Sequence, residues 1–350
     1  MGKKVFAAMS GGVDSAGAAL LLREKRYTVE GVTLRLRRGL EAYSAEEDIS
    51  AAQAVAAALG FPHTVLDLCQ LFQHQVVDKF VYEYVCGRTP NPCIDCNREI
   101  KFGALLDWVL EQGGDYIATG HYARVRFNPD TGRWNLLRGR DRRKDQSYVL
   151  YQLTQRQLSH LLLPVGEYEK PAIRQMAAEH GLLNAQRPDS QDICFVSDGD
   201  YVRFLKDYGG VTPVPGDFVD QNGRVLGRHR GLECYTRGQR KGLGVSADQP
   251  LYVIRKDLDQ GTVVLGPDSA LYTRELTADN VNLISMESLP SSLRVTAKTR
   301  YSQREAAAVL EPVENGTVRI RFDEPQRAIT AGQAVVFYAG ETVVGGGTIL

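Results

Sequence analysis

From Lys3 to about Leu205 the chain alternates short β-branched or apolar runs with stretches of helical period, the pattern of an α/β unit. Lys3 to Met9 reads as a strand, followed by a glycine loop, a helix through Ala19, Leu20 and Leu22, and a second strand from Tyr27 to Leu34. Ser44 with Glu47 predicts a capping box for a helix whose apolar face is Ile49, Ala52, Val55, Ala56 and Leu59, with Gly60 as its stop. A strand at His63 to Leu66, helices near Leu71 to Tyr84 and Glu99 to Gln112, and a strand at Tyr116 to Thr119 continue the alternation. The economical reading is a mostly parallel, doubly wound sheet with helices on both faces.

Beyond Tyr208 helical periodicity fades and Gly, Pro and Asn punctuate alternating runs. Asp220-Gln221-Asn222-Gly223 and Asp259-Gln260-Gly261 predict hairpin turns in a small β unit. Val318, Ile320 and Phe322 alternate with Arg319 and Arg321 after Asn315-Gly316, as in a strand of a closed barrel or sandwich. The expected division is residues 1–208 (α/β), 209–273 (small central β) and 274–350 (C-terminal β-barrel).

Composition narrows the classes. Lys plus Arg and Asp plus Glu both number 42, so any nucleic-acid contact must use local patches rather than a global basic field. No apolar run approaches the ~18 residues that span a bilayer, and the opening MGKKVFAAMSGG lacks the apolar core of a secretory leader. Six cysteines in 350 residues are too sparse for a disulfide framework, which predicts a cytoplasmic protein without membrane contact.

The most specific short motif is SGGVDS, residues 10–15, between the first strand and the first helix. Two glycines turn the backbone tightly and the helix adds the positive end of its dipole, which makes an anion cradle. It is neither GxxxxGK[ST] nor GxGxxG, and it resembles the PP-loop of the N-type ATP pyrophosphatases. The loop has no Lys or Arg, so Mg²⁺ is expected to neutralise much of the phosphate charge.

Two segments present thiols among polar, turn-rich residues: RTPNPCIDCN, residues 88–97, and DSQDICF, residues 189–195. A helix starting near Arg98 would lower the pKa of a thiol at its N-terminus and make Cys96 a thiolate. Cys69, Cys86 and Cys234 read as core thiols. Cys93, Cys96 and Cys194 could be reactive thiols or, together, ligands of an iron–sulfur cluster. A closed zinc site lacks a second CxxC.

SGGVDS, RTPNPCIDCN, ATGHYAR (118–124), KDQSYVLYQL (144–153), DSQDICF, TRGQRKGLG (236–244), KTRYSQ (298–303) and TAGQAVVFY (330–338) together resemble the tRNA-specific 2-thiouridylase family, in order along nearly the whole chain. The resemblance implies three domains that clasp the anticodon arm of tRNA, and an enzyme that uses ATP to thiolate the wobble uridine, releasing AMP and pyrophosphate. It implies nucleotide contacts from Ala8, Met9, Ser10, Gly11, Gly12, Val13, Asp14, Ser15, Leu34 and Gly120. Cys194 would carry a persulfide from an upstream donor, a cysteine desulfurase or sulfur-relay protein, and Cys96 would release its sulfur, leaving a disulfide. Cys93 stands where many members carry Asp, and Leu34 where many carry Met.

Tyr122 and the tRNA-binding candidates His121, Lys144, Asp145, Gln146, Arg300, Tyr301 and Gln333 match family positions near tRNA. Arg133, Arg138, Arg140, Arg142, Arg143 and Lys144 form a local basic run, and Arg224, Arg228, Arg230, Arg237, Arg240 and Lys241 a second. A solvated charged face is the plain alternative for both. His121 could equally be a packed, hydrogen-bonded histidine. Two rival functions are another adenylating PP-loop ligase or synthetase, which needs no paired thiols, and a tRNA-binding or sulfur-relay protein without turnover, which needs no nucleotide loop. A monomer is expected.

Overall fold

The computed structural model describes residues 2–37, 43–182, 193–196 and 198–350. Asp189, Ser190, Gln191 and Asp192 of the predicted thiol segment lie outside them.

The first unit begins with β1 (Lys4–Ala8), α1 (Val13–Glu24), β2 (Thr28–Arg35), α2 (Tyr43–Leu59) and β3 (His63–Asp67). There follow α3 (69–85), α4 (92–111), β4 (Tyr116–Ala118), the hairpin β5 (Ala123–Asn128) and β6 (Arg133–Arg138), α5 (Gln155–Ser159), β7 (Leu161–Leu162), α6 (Lys170–Glu179) and α7 (Tyr201–Asp207). The sheet runs β3-β2-β1-β4-β7, and all its pairings are parallel. Both faces of β1 are buried: Val5 and Ala7 pack with α1 and α2, and Phe6 with α4. A strand covered on two sides reads as a continuous apolar run, not as an alternation. α2 begins at Tyr43, so Ser44 lies inside the helix and not at its cap.

α4 departs from expectation. It starts at Pro92 and not near Arg98, because Asn91 caps it by accepting the Cys93 N–H at 3.2 Å and proline fits the first helical position. Residues 96–104 then widen to π-type hydrogen bonding, a feature frequent at functional sites.

The central unit pairs β8 (Gly216–Val219), β9 (Val225–His229), β10 (Tyr252–Asp257) and β11 (Thr262–Gly266) in the order β10-β11-β8-β9, with both predicted turns in place. The last unit contains β12 (Tyr272–Leu283), β13 (Leu293–Lys298), β14 (Ala306–Pro312), β15 (Val318–Arg327), β16 (Ala334–Ala339) and β17 (Thr342–Ile349). Pairing of β12 with β17 closes these six strands into a barrel, and the hairpin β5–β6 hangs on β17. Val318, Ile320 and Phe322 point inward, as predicted, and Arg319 and Arg321 outward. Ile284, Ala334, Val336, Tyr338 and Val343 join the core that contains Phe6 and Leu105, so barrel and sheet share one apolar interior.

Candidate active site

The SGGVDS loop is built at the carboxyl edge of β1, where ligands of open α/β sheets gather. Met9 anchors the loop through its N–H to the Val32 carbonyl (2.8 Å). Gly11 takes φ 71°, a left-handed value that favours glycine. Ser15 Oγ accepts the Ser10 N–H at 3.2 Å and donates to the Gly12 carbonyl at 3.0 Å, closing the loop on itself. Val13, Asp14 and Ser15 occupy the first turn of α1, whose N–H groups precede the first intrahelical bond, Ala16 N–H to Gly12. A Cβ on Gly120 would stand 2.6 Å from the Asp14 carbonyl carbon and 2.7 Å from the Ser15 nitrogen, so glycine is needed for β4 to abut this turn.

The cation missing from the loop comes from elsewhere. Lys170, 6% exposed, lies 2.7 and 2.6 Å from the two carboxylate oxygens of Asp14. Tyr122, expected at the RNA face, is buried, and its hydroxyl donates to Asp14 Oδ1 at 2.8 Å. Its position belongs to the SGGVDS loop. Sequence reasoning missed Lys170 because nothing at 156 residues' distance announces the contact; only its place at a helix start could have drawn notice.

At the thiol end Cys96 is buried, Cys93 lies three residues earlier on α4 and is exposed, and Cys194 is exposed in the 193–196 segment. Cys96 packs in the same cluster as Ile193 and Phe195, the two neighbours of Cys194, and as Leu34 at the end of β2. Burial pushes the Cys96 thiol up to about 12, against the Lys101 ammonium, which favours the thiolate. The expected thiolate is therefore absent in the resting protein: with the helix starting at Pro92, Cys96 sits within its body and in the core. Surrounding protein also raises Cys93 and Cys194, with Lys101 opposing both and Arg37 opposing the shift at Cys194. Lys101 and Arg37 were not singled out from sequence. Among the described residues no group of three Cys, His, Asp or Glu is arranged to hold a metal ion.

His121 lies between the two ends. Its Nδ1 is 2.8 Å from Thr119 Oγ1, its ring is 5.8 Å from Phe102, and burial, then Lys101, lowers its pKa well below the ordinary value, so it is neutral.

The candidate RNA contacts are mostly engaged within the protein. Asp145 Oδ1 accepts the Gly139 and Ser147 N–H groups at 3.0 and 3.1 Å, and Gln146 Oε1 accepts the Tyr122 N–H at 2.9 Å. Arg300 donates to the carbonyls of Arg237 and Ala328 and to Thr330 Oγ1. Gln333 donates to the Thr89 carbonyl at 2.7 Å, while the Thr89 N–H donates to the Ala331 carbonyl, fastening the 88–92 loop to the barrel. Tyr301 stays 42% exposed, beside Lys298, and Lys144 is half-buried. The first basic run is largely paired: Arg138 with Glu305, Arg140 with Glu167, Arg142 with Glu341, Arg143 with Asp141, and Arg133 on the Leu283 and Ile284 carbonyls. Cys69 and Cys86 are only half-buried, whereas Cys234 is a core thiol as expected.

Three family profiles tile the chain: one described as a tRNA methyl transferase HUP domain over residues 3–198, a tRNA methyl transferase PRC-barrel domain over 202–267, and an aminomethyltransferase beta-barrel domain over 273–349. The tRNA-specific 2-thiouridylase MnmA of Acetivibrio thermocellus is 48% identical, covering 99% of each chain. The protein of the same name from Heliobacterium modesticaldum is 51% identical over 100% of this chain and 93% of its own. Among solved structures, the U34-tRNA thiolase NcsA of Methanococcus maripaludis is similar at 19% identity and a TM-score of 0.35, covering 58% of this chain and 66% of that one.

Proposed function

The chain belongs to the tRNA-specific 2-thiouridylase family, and from that premise we propose how its residues divide the ATP-dependent thiolation of the tRNA wobble uridine. Ser10, Gly11, Gly12, Val13, Asp14 and Ser15 cradle the phosphates, with Ala8 and Met9 fixing the loop and Leu34 and Gly120 walling the nucleoside. The Asp14 carboxylate, a hard oxygen donor at the loop, fits Mg²⁺, which when bound neutralises phosphate charge. The uridine O2 attacks the α-phosphorus, the bond from phosphorus to the bridging oxygen breaks, and pyrophosphate leaves with the electron pair.

Sulfur follows. The terminal sulfur of a Cys194 persulfide, deprotonated, adds at ring carbon 2, and the carbon–oxygen bond breaks as AMP departs. Cys96, as thiolate, then attacks Sγ of Cys194; the sulfur–sulfur bond breaks and the thiocarbonyl keeps its electrons. A Cys96–Cys194 disulfide remains, which an external dithiol reduces. Lys101 and Arg37 assist by favouring thiolates. Cys93 carries no carboxylate, so no acid/base role is placed on it.

This reading is supported above all by the continuity of the two ends: Gly120 lies against Asp14, and its neighbour His121 shares Lys101 with all three thiols. Tyr301, Lys144 and His121 meet the anticodon arm, while Asp145, Gln146, Arg300 and Gln333 hold the surface that receives it. An upstream cysteine desulfurase or relay protein loads Cys194, and the enzyme works as a cytoplasmic monomer; no helix among the described residues is long and apolar enough to cross a membrane. The working domains are 1–208, 209–273 and 274–350.

Among the described residues Cys93, Cys96 and Cys194 are not arranged as a three-ligand group, and the relay through Cys96 and Cys194 needs no cluster. Recombinant protein with ATP, Mg²⁺, a persulfide donor and unmodified tRNA should yield thiolated tRNA and pyrophosphate in equal amounts. Pyrophosphate without thiolated tRNA would overturn the reading, and stoichiometric iron and sulfide after anaerobic purification would overturn the disulfide relay.

A further inference from the structure

Thr33 of β2 is 4% exposed, and its hydroxyl donates to the Met9 carbonyl at 2.8 Å, where β1 gives way to the SGGVDS loop. The same oxygen lies 2.8 Å from Nε2 of His63, the first residue of β3. Room for the imidazole comes from Gly31: a Cβ there would stand 2.8 Å from His63 Cδ2 and 3.0 Å from Met9 Sδ. Nδ1 of the ring is shielded from solvent and has no hydrogen-bond partner among the described residues.

The available hydrogens fix the tautomer of the ring. Burial lowers the His63 pKa, so the ring is neutral and carries one N–H. A carbonyl only accepts, so the single hydrogen of the Thr33 hydroxyl goes to Met9, and Nε2 is the nitrogen that donates to Thr33. With the proton on Nδ1 instead, a buried N–H would lack an acceptor, and Nε2 and the Met9 carbonyl would compete for one hydrogen. The Met9 carbonyl shares a planar peptide unit with the Ser10 N–H, which donates to Ser15 Oγ at 3.2 Å, and Ser15 in turn donates to the Gly12 carbonyl. An orientation imposed on that carbonyl from β2 and β3 is thereby passed to the turn that opens α1.

We propose, on the nucleotide-loop reading given above, that His63 is a positioning residue for the phosphate loop: its Nε2–H holds the Thr33 hydroxyl on the Met9 carbonyl, and the Met9–Ser10 peptide carries the constraint to Ser15. His63 touches no reacting atom and acts through Thr33, whose neighbour Leu34 walls the nucleoside in the same reading.

The test is calorimetric titration of the full chain with ATP and Mg²⁺, with the melting temperature read on the same samples. His63→Phe keeps an aromatic ring beside Gly31 and removes the donor, so ATP affinity should fall about 5- to 10-fold, the effect of one hydrogen bond. His63→Gln, which returns an N–H donor, should recover part of the loss. In a Thr33→Val background His63→Phe should cost no further ATP affinity, because the relay is already cut. Unchanged affinity in His63→Phe, whatever its melting temperature, overturns the proposal and gives His63 a purely structural role; so does a loss of full size in the Thr33→Val background, or no gain in His63→Gln. Should His63→Phe fail to fold, Thr33→Val is compared with Thr33→Ser: the serine keeps the hydroxyl and should bind ATP about fivefold more tightly. Equal affinity of that pair overturns the proposal as well. Wild-type protein that does not bind ATP would instead overturn the nucleotide-loop reading itself, a result distinct from the others.

Discussion

The two ends of the site are prepared in opposite ways. At the end proposed to hold the nucleotide, charge is already displayed: Asp14 and Lys170 form an ion pair at 2.6 Å, Tyr122 steadies it, and Gly120 presses the backbone against the first turn of α1. At the thiol end, charge is withheld: Cys96 is in the core with its pKa pushed to about 12, and Cys93 and Cys194 are also shifted toward the neutral form. The difference fits the order of the chemistry. A thiolate exposed before the uridine is adenylated would react with oxidants or stray electrophiles, whereas a phosphate cradle without its nucleotide is harmless. The loop can be finished in advance, and the sulfur must be released late.

The largest effect that separates the ends is loss of Cys194. Cys194→Ser removes the sulfur proposed to carry the persulfide and should abolish thiolation, while pyrophosphate release stimulated by unmodified tRNA continues. Measuring both products in one reaction checks this; thiolated tRNA at the wild-type rate would refute the role given to Cys194. Gly120→Ala attacks the opposite end. The added methyl meets backbone atoms at 2.6 to 2.8 Å, which no rotamer change relieves. Overpacking of this kind costs roughly 1–3 kcal/mol, so ATP affinity should fall by about 5- to 150-fold, while persulfide loading of Cys194, read by mass spectrometry, stays intact.

A pH titration sharpens the comparison further. Cys96 moves from its ordinary 9.0 to about 12, so below pH 9 its neutral thiol stabilises the fold, and that contribution is lost as pH rises from about 9 toward 12. Alkylation of Cys96 should therefore lag behind that of the exposed Cys93 and Cys194 and should accelerate about tenfold per pH unit between pH 7 and 9. Iodoacetamide labelling followed by peptide mapping reads all three rates at once. A Cys96 that labels as fast as Cys194 at pH 7 would mean that the thiol end is not held neutral.

The sequence disclosed much of this plan, and for physical reasons it disclosed the two ends unequally. The phosphate loop is local: strand, glycines, aspartate, serine and helix lie in one stretch, and the alternation of β1 to β4 with helices is written in short-range periodicity. The thiol segments were also visible, since CxxC among prolines stands out. What could not be read was context. The helix starts at Pro92 and not near Arg98 because Asn91 is its cap and Pro92 its first position, roles that the prolines of a polar segment share with loop bracing; the earlier start puts Cys96 inside the helix and reverses its expected state. Lys170 and Tyr122 reach Asp14 from 156 and 108 residues away, and no periodicity encodes such a meeting. The basic run around Arg138 looked available for phosphate, yet Glu305, Glu341 and Glu167 from distant segments neutralise it.

The smallest expected effect concerns the seam where the barrel meets the thiol end. Gln333 contributes one hydrogen bond, at 2.7 Å, from the barrel to the Thr89 carbonyl, three residues before the helix that carries Cys93 and Cys96. The neighbouring bond from the Thr89 N–H to the Ala331 carbonyl remains when the side chain is removed. Gln333→Ala therefore loses about 1 kcal/mol at most, enough to loosen the 88–92 loop without detaching it. Thiolation should slow by about fivefold, whereas nucleotide binding, which depends on the loop of residues 10–15 and on Gly120, should not change. Single-turnover thiolation set beside ATP titration separates the two. If ATP affinity fell along with thiolation, the two ends would be coupled through the barrel and not prepared separately.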